Sequence, residues 1–96
     1  MLFAAICRDK PDSLEIRMNA RPAHLEHLKT HADSVRLAGP LLADDGETPC
    51  GSLLVIEAED VIEARKILDA DPYADAGLFE TIELSPWKWV VGNPDA

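Results

Sequence analysis

Ninety-six residues, 47% hydrophobic and 28% charged, set the scale and make-up of a single soluble globular domain, taken here as residues 1–96. A formal net charge of −9, with nine scattered basic residues, works against a nucleic-acid or anionic-membrane surface, because both draw on clustered Lys and Arg. A chain this short buries only roughly 60–65% of the surface its unfolded form exposes, so association into a homodimer is expected.

The chain opens on MLFAAICRDK. No basic region precedes its apolar stretch, no small-residue cleavage site follows, and no apolar run approaches the ~20 residues of a membrane helix. The sequence therefore reads as complete and cytoplasmic. Leu2 to Cys7 suits a central strand buried on both faces or nearly so. Asp12 or Ser13 can cap a short helical turn over LEIRMN. Because Pro22 is poorly tolerated inside a helix but accepted in its first turn, the main first helix is expected from about Asn19 or Ala20 to Ala32. Its apolar stripe is Leu25, Leu28 and Ala32.

Residues 34–59 read as two strands joined at Asp45-Gly46, a turn signal. Gly39-Pro40 marks a bulge or bend in the first of them, which could widen a pocket above the sheet. Asp60 caps a second helix with Glu63 as capping-box partner and Val61, Ala64 and Ile67 or Leu68 facing inward. Pro72 ends that helix. Residues 77–91 form the last strand, with Trp87 and Trp89 on one face, filling a sheet face or dimer interface. The tail GNPDA is expected to fray.

The order β-α-β-β-α-β gives an α+β, ferredoxin-like fold: an antiparallel four-stranded sheet of strand order 4-1-3-2 with both helices on one face. Strand residues are apolar on both faces, as in Leu53 and Val55 against Leu54 and Ile56, which favours two such sheets packed face to face in a dimer. In this topology the start of the first helix and the end of the second lie at the same end of the molecule. Residues 19–24 and 69–73 are thereby brought together across the chain. His24 and Asp71 are the natural partners, with Arg21 second. A carboxylate that accepts one ring N–H of a histidine fixes its tautomer and raises the basicity of the other nitrogen. His24 is then a general acid or base, Asp71 its orienter, Arg21 a charge for an anionic group of a substrate, and Tyr73 a phenolic donor. The plain alternative is that Asp71 forms a turn and His24 is solvated.

These residues resemble the YCII-related family of small bacterial proteins. The resemblance covers nearly the whole chain and is carried by Arg21 and His24 in RPAHLEHL, Gly39 to Leu41, Gly51, Asp71 to Tyr73, Ala76 to Leu78 and Pro86-Trp87. It implies a ferredoxin-like fold within the dimeric α/β-barrel superfamily and a His–Asp active-site pair falling on His24 and Asp71.

Two further sets of residues bear on the site. His24, His27 and His31 fall within a ~60° sector of a helix, but no cysteine or carboxylate cluster completes a metal site, so a solvated helix flank is expected and no metal or other cofactor. Cys7 and Cys50 make no CxxC or metal spacing and read as free buried thiols, although a thiol near His24 could be a nucleophile. Two functions follow. One is a cofactor-independent lyase, isomerase or hydrolase acting on a small organic acid or aromatic-derived compound. The other is a non-catalytic small-molecule-binding or accessory module in which the His–Asp pair is a structural tie.

Overall fold

The computed structural model describes residues 1–95; Ala96, the last residue of the tail expected to fray, lies outside them. The chain runs β1 (Leu2–Asp9), α1 (Leu14–Thr30), β2 (Val35–Leu42), β3 (Pro49–Glu57), α2 (Val61–Asp69), α3 (Pro72–Asp75) and β4 (Phe79–Trp87). The strands form one antiparallel sheet in the order β2-β3-β1-β4, the expected 4-1-3-2 arrangement, with the helices on one face.

The strand period of two sorts the sheet into an inner and an outer face. On β1, Phe3, Ala5 and Cys7 point inward and are buried, while Leu2, Ala4 and Ile6 are only half-buried on the outer face. The register sets Phe3 opposite Ile56, Ala5 opposite Leu54 and Cys7 opposite Ser52. Ala58 and α2's Ala64, Ile67 and Leu68 close over this layer to complete the core. Burial on both faces of β1 is therefore not reached within one chain. Gly51 permits a close approach of β3 to β1, because a Cβ there would lie 2.5 Å from the Cys7 backbone oxygen.

The first helix differs from the expectation in extent and in the face it buries. It is one continuous helix from Leu14, and Pro22 lies inside it. Pro22 removes the N–H that would bond the carbonyl four residues earlier, on Met18. Both residues are on the solvent side, where water can take the freed carbonyl's place. The buried residues of α1 are Arg17 and His24, not the apolar stripe. Leu25 is exposed, Leu28 packs on the edge of the core, and Ala32 lies beyond the helix end.

Smaller differences have local causes. The Asp60 carboxylate accepts from the Glu63 N–H at 2.8 Å as a cap should, but the Glu63 carboxylate takes the Glu59 N–H rather than that of Asp60, and Val61 faces solvent. Pro72 does not end α2, which stops at Asp69; it occupies the first turn of α3, a place where its missing N–H costs nothing. Pairing of β2 with β3 is regular through Gly39 and Pro40, and the register shifts fall between Val35 and Leu37 and between Leu41 and Leu42. As an edge strand β2 tolerates the proline without a bulge. Trp89 lies past the end of β4, yet its ring reaches that of Trp87 at 5.7 Å. Near the C-terminus Arg36 bonds the Asp95 carboxylate, and Trp89 donates its ring N–H to the Val91 carbonyl at 2.7 Å.

Candidate functional site

On α1, Arg17 and His24 stand seven residues apart, two turns on one face and about 10.5 Å along the axis. Both are buried although polar, so each requires partners from other elements. The short connection after α2 supplies those of His24. Asp71 precedes α3 with an extended backbone and accepts the Tyr73 N–H on Oδ1 at 2.9 Å. That bond fixes the carboxylate beside the middle of α1, where His24 Nδ1 meets Oδ1 at 2.8 Å and Oδ2 at 2.9 Å. A carboxylate is acceptor-only, so Nδ1 carries the hydrogen, and in the neutral ring Nε2 holds the lone pair. No buried side-chain nitrogen or oxygen among the described residues lacks a partner. Nε2 makes no such bond and is therefore not sealed from solvent.

Tyr73 fills the interval between the two polar residues. Its ring stacks on His24 with centroids 3.9 Å apart and planes 14° from parallel, and Phe79 braces it edge-on at 6.1 Å. The Arg17 guanidinium lies 4.6 Å from the centre of the same ring. Arg17 in turn is clamped by Asp9, Nε to Oδ2 at 2.7 Å and Nη2 to Oδ1 at 2.8 Å, and Nη2 also donates to the Ser52 hydroxyl at 3.0 Å. Burial alone would weaken the Arg17 cation, but the Asp9 carboxylate outweighs it and raises the guanidinium pKa. Burial also pushes the Tyr73 phenol up, against the pull of Arg17 and Arg21.

These side chains open on a cavity of about 420 Å³, within the range of small-molecule pockets. Arg17, Arg21, His24, Ser52 and Tyr73 form its polar end, and the walls are apolar, from Leu25 and Leu28 of α1 to Ala38, Gly39, Pro40 and Leu54 of the sheet. The arrangement offers an oriented imidazole next to a cationic end of a greasy, ring-sized slot.

The structure thus brings His24, Asp71 and Tyr73 into one contact set. Arg21 lines the cavity from an exposed position and makes no ion pair among the described residues. Tyr73 serves first as the plate on which His24 lies. Arg17, Asp9 and Ser52 were missed, and a signal for Arg17 existed in its two-turn spacing from His24. Cys7 lies in the core, where burial and then the nearby Asp71 carboxylate push its thiol up to about 12; Cys50 is exposed on β3 rather than buried. His27 bonds the Ile67 carbonyl at 3.0 Å, and His31 leans on it. Among the described residues no three His, Cys, Asp or Glu side chains are grouped to hold a metal, and no helix is long and apolar enough to cross a membrane.

The family model of the YCII-related domain matches residues 1–88. Protein YciI of Escherichia coli is 41% identical over 97 residues, covering 94% of this chain and 99% of its own. A protein of Emericella nidulans described as derivative of benzaldehyde biosynthesis cluster protein C is 38% identical over 74 residues, covering 69% of this chain and 76% of its own. Among solved structures, 5-chloro-2-hydroxyhydroquinone dehydrochlorinase from Burkholderia phenoliruptrix, in complex with 2,5-dihydroxybenzoquinone, is similar with a TM-score of 0.83 and 34% identity, over 92% of this chain and 94% of that one.

Proposed function

We propose that this chain, which belongs to the YCII-related family, is a proton-transfer enzyme of lyase or isomerase type acting on a small hydroxylated ring compound. The observation that carries the reading is the buried His24–Asp71 pair with Nε2 left open at a 420 Å³ cavity. In the reaction Nε2 takes a proton from a ring hydroxyl, and the electron pair left behind moves into the ring. The imidazolium, held by Asp71, returns the proton to a ring carbon. The product is then a tautomer; where the protonated carbon bears a leaving group, a second ring hydroxyl gives its proton to Nε2 and its electron pair expels that group as an anion. Every step needs only the base and the substrate's own electrons. A positioned base of this kind contributes roughly 10²- to 10⁴-fold in rate.

The similar dehydrochlorinase supports a ring substrate, and the apolar slot with a cationic end supports one that carries an ionisable oxygen. The same reading includes a homodimer built through the outer face of the sheet, in a family whose fold is that of the dimeric α/β barrels. The test is release of chloride from 5-chloro-2-hydroxyhydroquinone and tautomerisation of related hydroxylated rings, measured for the wild type and His24→Gln. The variant is expected to fold and lose at least 10²-fold in turnover. Turnover unchanged in a folded His24→Gln protein would remove His24 as the base.

A second reading has its own support. The His24–Asp71 bond, with Tyr73 stacked on it, ties α3 to the middle of α1, as a structural device in a non-catalytic binding module would. Asp71→Asn separates the two. A loss of stability with no turnover on any ring compound in the wild type favours the structural tie; a folded variant that binds the ring but turns it over slowly favours catalysis.

A further inference from the structure

We propose that Arg17 is a positioning residue for His24 that acts through Tyr73: clamped by Asp9, its guanidinium holds the Tyr73 ring flat against the imidazole and so keeps Nε2 aimed at the cavity. The inference deepens the reading of His24 as the base and rests on it. The bond to Asp71 fixes Nδ1 but not the plane of the ring, because the second side-chain torsion of a histidine is broad. The plane is set by the Tyr73 ring, which lies 3.9 Å away and 14° from parallel. Tyr73 has the same soft torsion, so its own ring needs holding at both ends. At the backbone end, Tyr73 N–H and His24 Nδ1 share one oxygen of Asp71, and the Tyr73 carbonyl accepts the Leu78 N–H at 3.1 Å. At the hydroxyl end the holder is Arg17, which donates to the phenolic oxygen and lies 4.6 Å from the ring centre.

Arg17 is built as a brace. Its guanidinium is planar and is gripped by Asp9 twice, Nε to Oδ2 and Nη2 to Oδ1, with Ser52 also taking a bond from Nη2. Asp9 belongs to β1 and Ser52 to the paired β3, so the sheet sets the plane of the fork. The side chain is only 4% exposed, and no buried side-chain nitrogen among the described residues lacks a partner. Its buried donors are therefore spent on protein groups, although it lines the cavity. A buried ion pair adds little net stability over an apolar pair of similar volume. The effect of Asp9–Arg17 on the imidazole is thus separable from its effect on folding. A displacement of about 1 Å near a reacting group costs about 10²-fold in rate, which is the scale on which a rocking Tyr73 ring is felt at Nε2.

The primary test needs no substrate. A ring stacked face to face on His24 shifts the imidazole Cδ2 and Cε1 hydrogens upfield through its ring current, and proton spectra of the full chain read that shift. Tyr73→Leu supplies the unstacked reference. Arg17→Lys keeps the charge against Asp9 but loses the planar fork, and Tyr73→Phe keeps the ring but loses the hydroxyl. Each is expected to lose a large part of the upfield shift while Nδ1 stays bonded to Asp71. The double variant is expected to lose no more than either single one, because both break the same link. A folded Arg17→Lys protein with wild-type His24 shifts, or losses that add in the double variant, overturns the proposal. Should Arg17→Lys not fold, Asp9→Leu combined with Arg17→Met puts an apolar pair in place of the buried ions and is judged by the same shifts. Turnover is the second readout. Where the wild type releases chloride from 5-chloro-2-hydroxyhydroquinone, Arg17→Lys is expected to lower kcat roughly 10- to 100-fold with KM little changed. An unchanged kcat, or a loss carried by KM, also overturns the assignment. The two readings fail separately. A wild type without turnover on any hydroxylated ring removes the base and leaves the brace, whereas unaltered His24 shifts in Arg17→Lys remove the brace and leave the base.

Discussion

At the scale of single residues, the two thiols show how far burial separates chemically identical groups. Cys7 points inward from the central strand and its thiol is pushed up to about 12 by burial and by the Asp71 carboxylate, so almost no thiolate exists at neutral pH. Cys50 sits exposed on β3. Because the thiolate is the nucleophile, the folded protein is expected to take up one equivalent of iodoacetamide rapidly, on Cys50, and the second only in denaturant. Rapid modification of Cys7 in the native state would contradict the packing described here. The same raised value makes Cys7 a source of alkaline instability: above pH 9, its ordinary value, the unfolded chain loses the proton first and stability declines toward pH 12. His27 acts at the acid end. Burial holds it below its usual 6.5, against the attraction of Asp71, and as the neutral ring it donates Nε2–H to the Ile67 carbonyl. Its folded value is the lower one, so as the pH falls below 6.5 the unfolded chain binds the proton first. His27's contribution, complete above that point, is lost on the way down to the depressed folded value. His27→Gln is expected to flatten the fall in stability between about pH 7 and 5, read from urea unfolding midpoints. An unchanged slope would show that the ring is not desolvated.

At the scale of elements, Pro22 offers the cleanest experiment. It interrupts the hydrogen-bond ladder of a 17-residue helix on its solvent side. An interior proline costs ~3 kcal/mol relative to alanine in a helix, so Pro22→Ala is expected to stabilise the fold by roughly 1–3 kcal/mol, part of the penalty having been relaxed already. Thermal unfolding of the two proteins measures it, and a destabilised variant would mean that the proline shapes the adjoining cavity wall. The helix also explains what could and could not be read from the chain. The strand order followed from element order and connection handedness, and the meeting of His24 with Asp71 followed from the same topology, because both depend on coarse geometry. Helix bounds failed at Pro22 because sequence rules price a proline without knowing which way its turn faces. The inner face of α1 failed for a deeper reason. An apolar stripe normally marks the buried side, but here the buried side carries Arg17 and His24, whose partners Asp9, Ser52 and Asp71 come from three other segments. Only the fold pairs those charges, so a pattern search along one helix misplaces the face. α3 was hidden similarly: Asp71 and Pro72 are the cap and first turn of a new helix as readily as the end of an old one.

At the scale of the whole molecule, the sheet has one face covered and one bare. Helices seal the inner side, while Leu37, Leu41 and Leu53 line an apolar groove on the outer side and Trp87 extends the same face on β4. Leu37 and Leu53 are 45% and 41% exposed, and the half-buried Leu2, Ala4 and Ile6 continue the patch across β1. A chain of this length gains too little from one core to leave such a face in water without cost. We predict a homodimer packed through this face, seen as a single species of twice the chain mass by sedimentation velocity at micromolar concentration. Leu53→Lys is the informative variant. Leu53 belongs to none of the inner core, so the substitution is expected to leave secondary structure intact while placing a charge on the apolar outer face of each subunit. A folded monomer is the expected result. A wild type that sediments as a monomer would sink the prediction, and a Leu53→Lys protein that stays dimeric would move the interface to another surface. The variant also tells whether one chain holds the whole site. Leu42, Glu47 and Pro49 of the β2–β3 hairpin, at the edge of the sheet, also line the cavity, and a partner on the outer face would lie beside that edge. If the folded monomer binds hydroxylated ring compounds as tightly as the dimer, the groups on α1, α3 and β3 suffice by themselves. If affinity falls by 10-fold or more while His24 and Asp71 remain paired, the second subunit closes the cavity, and dimerisation is then part of binding as well as of stability.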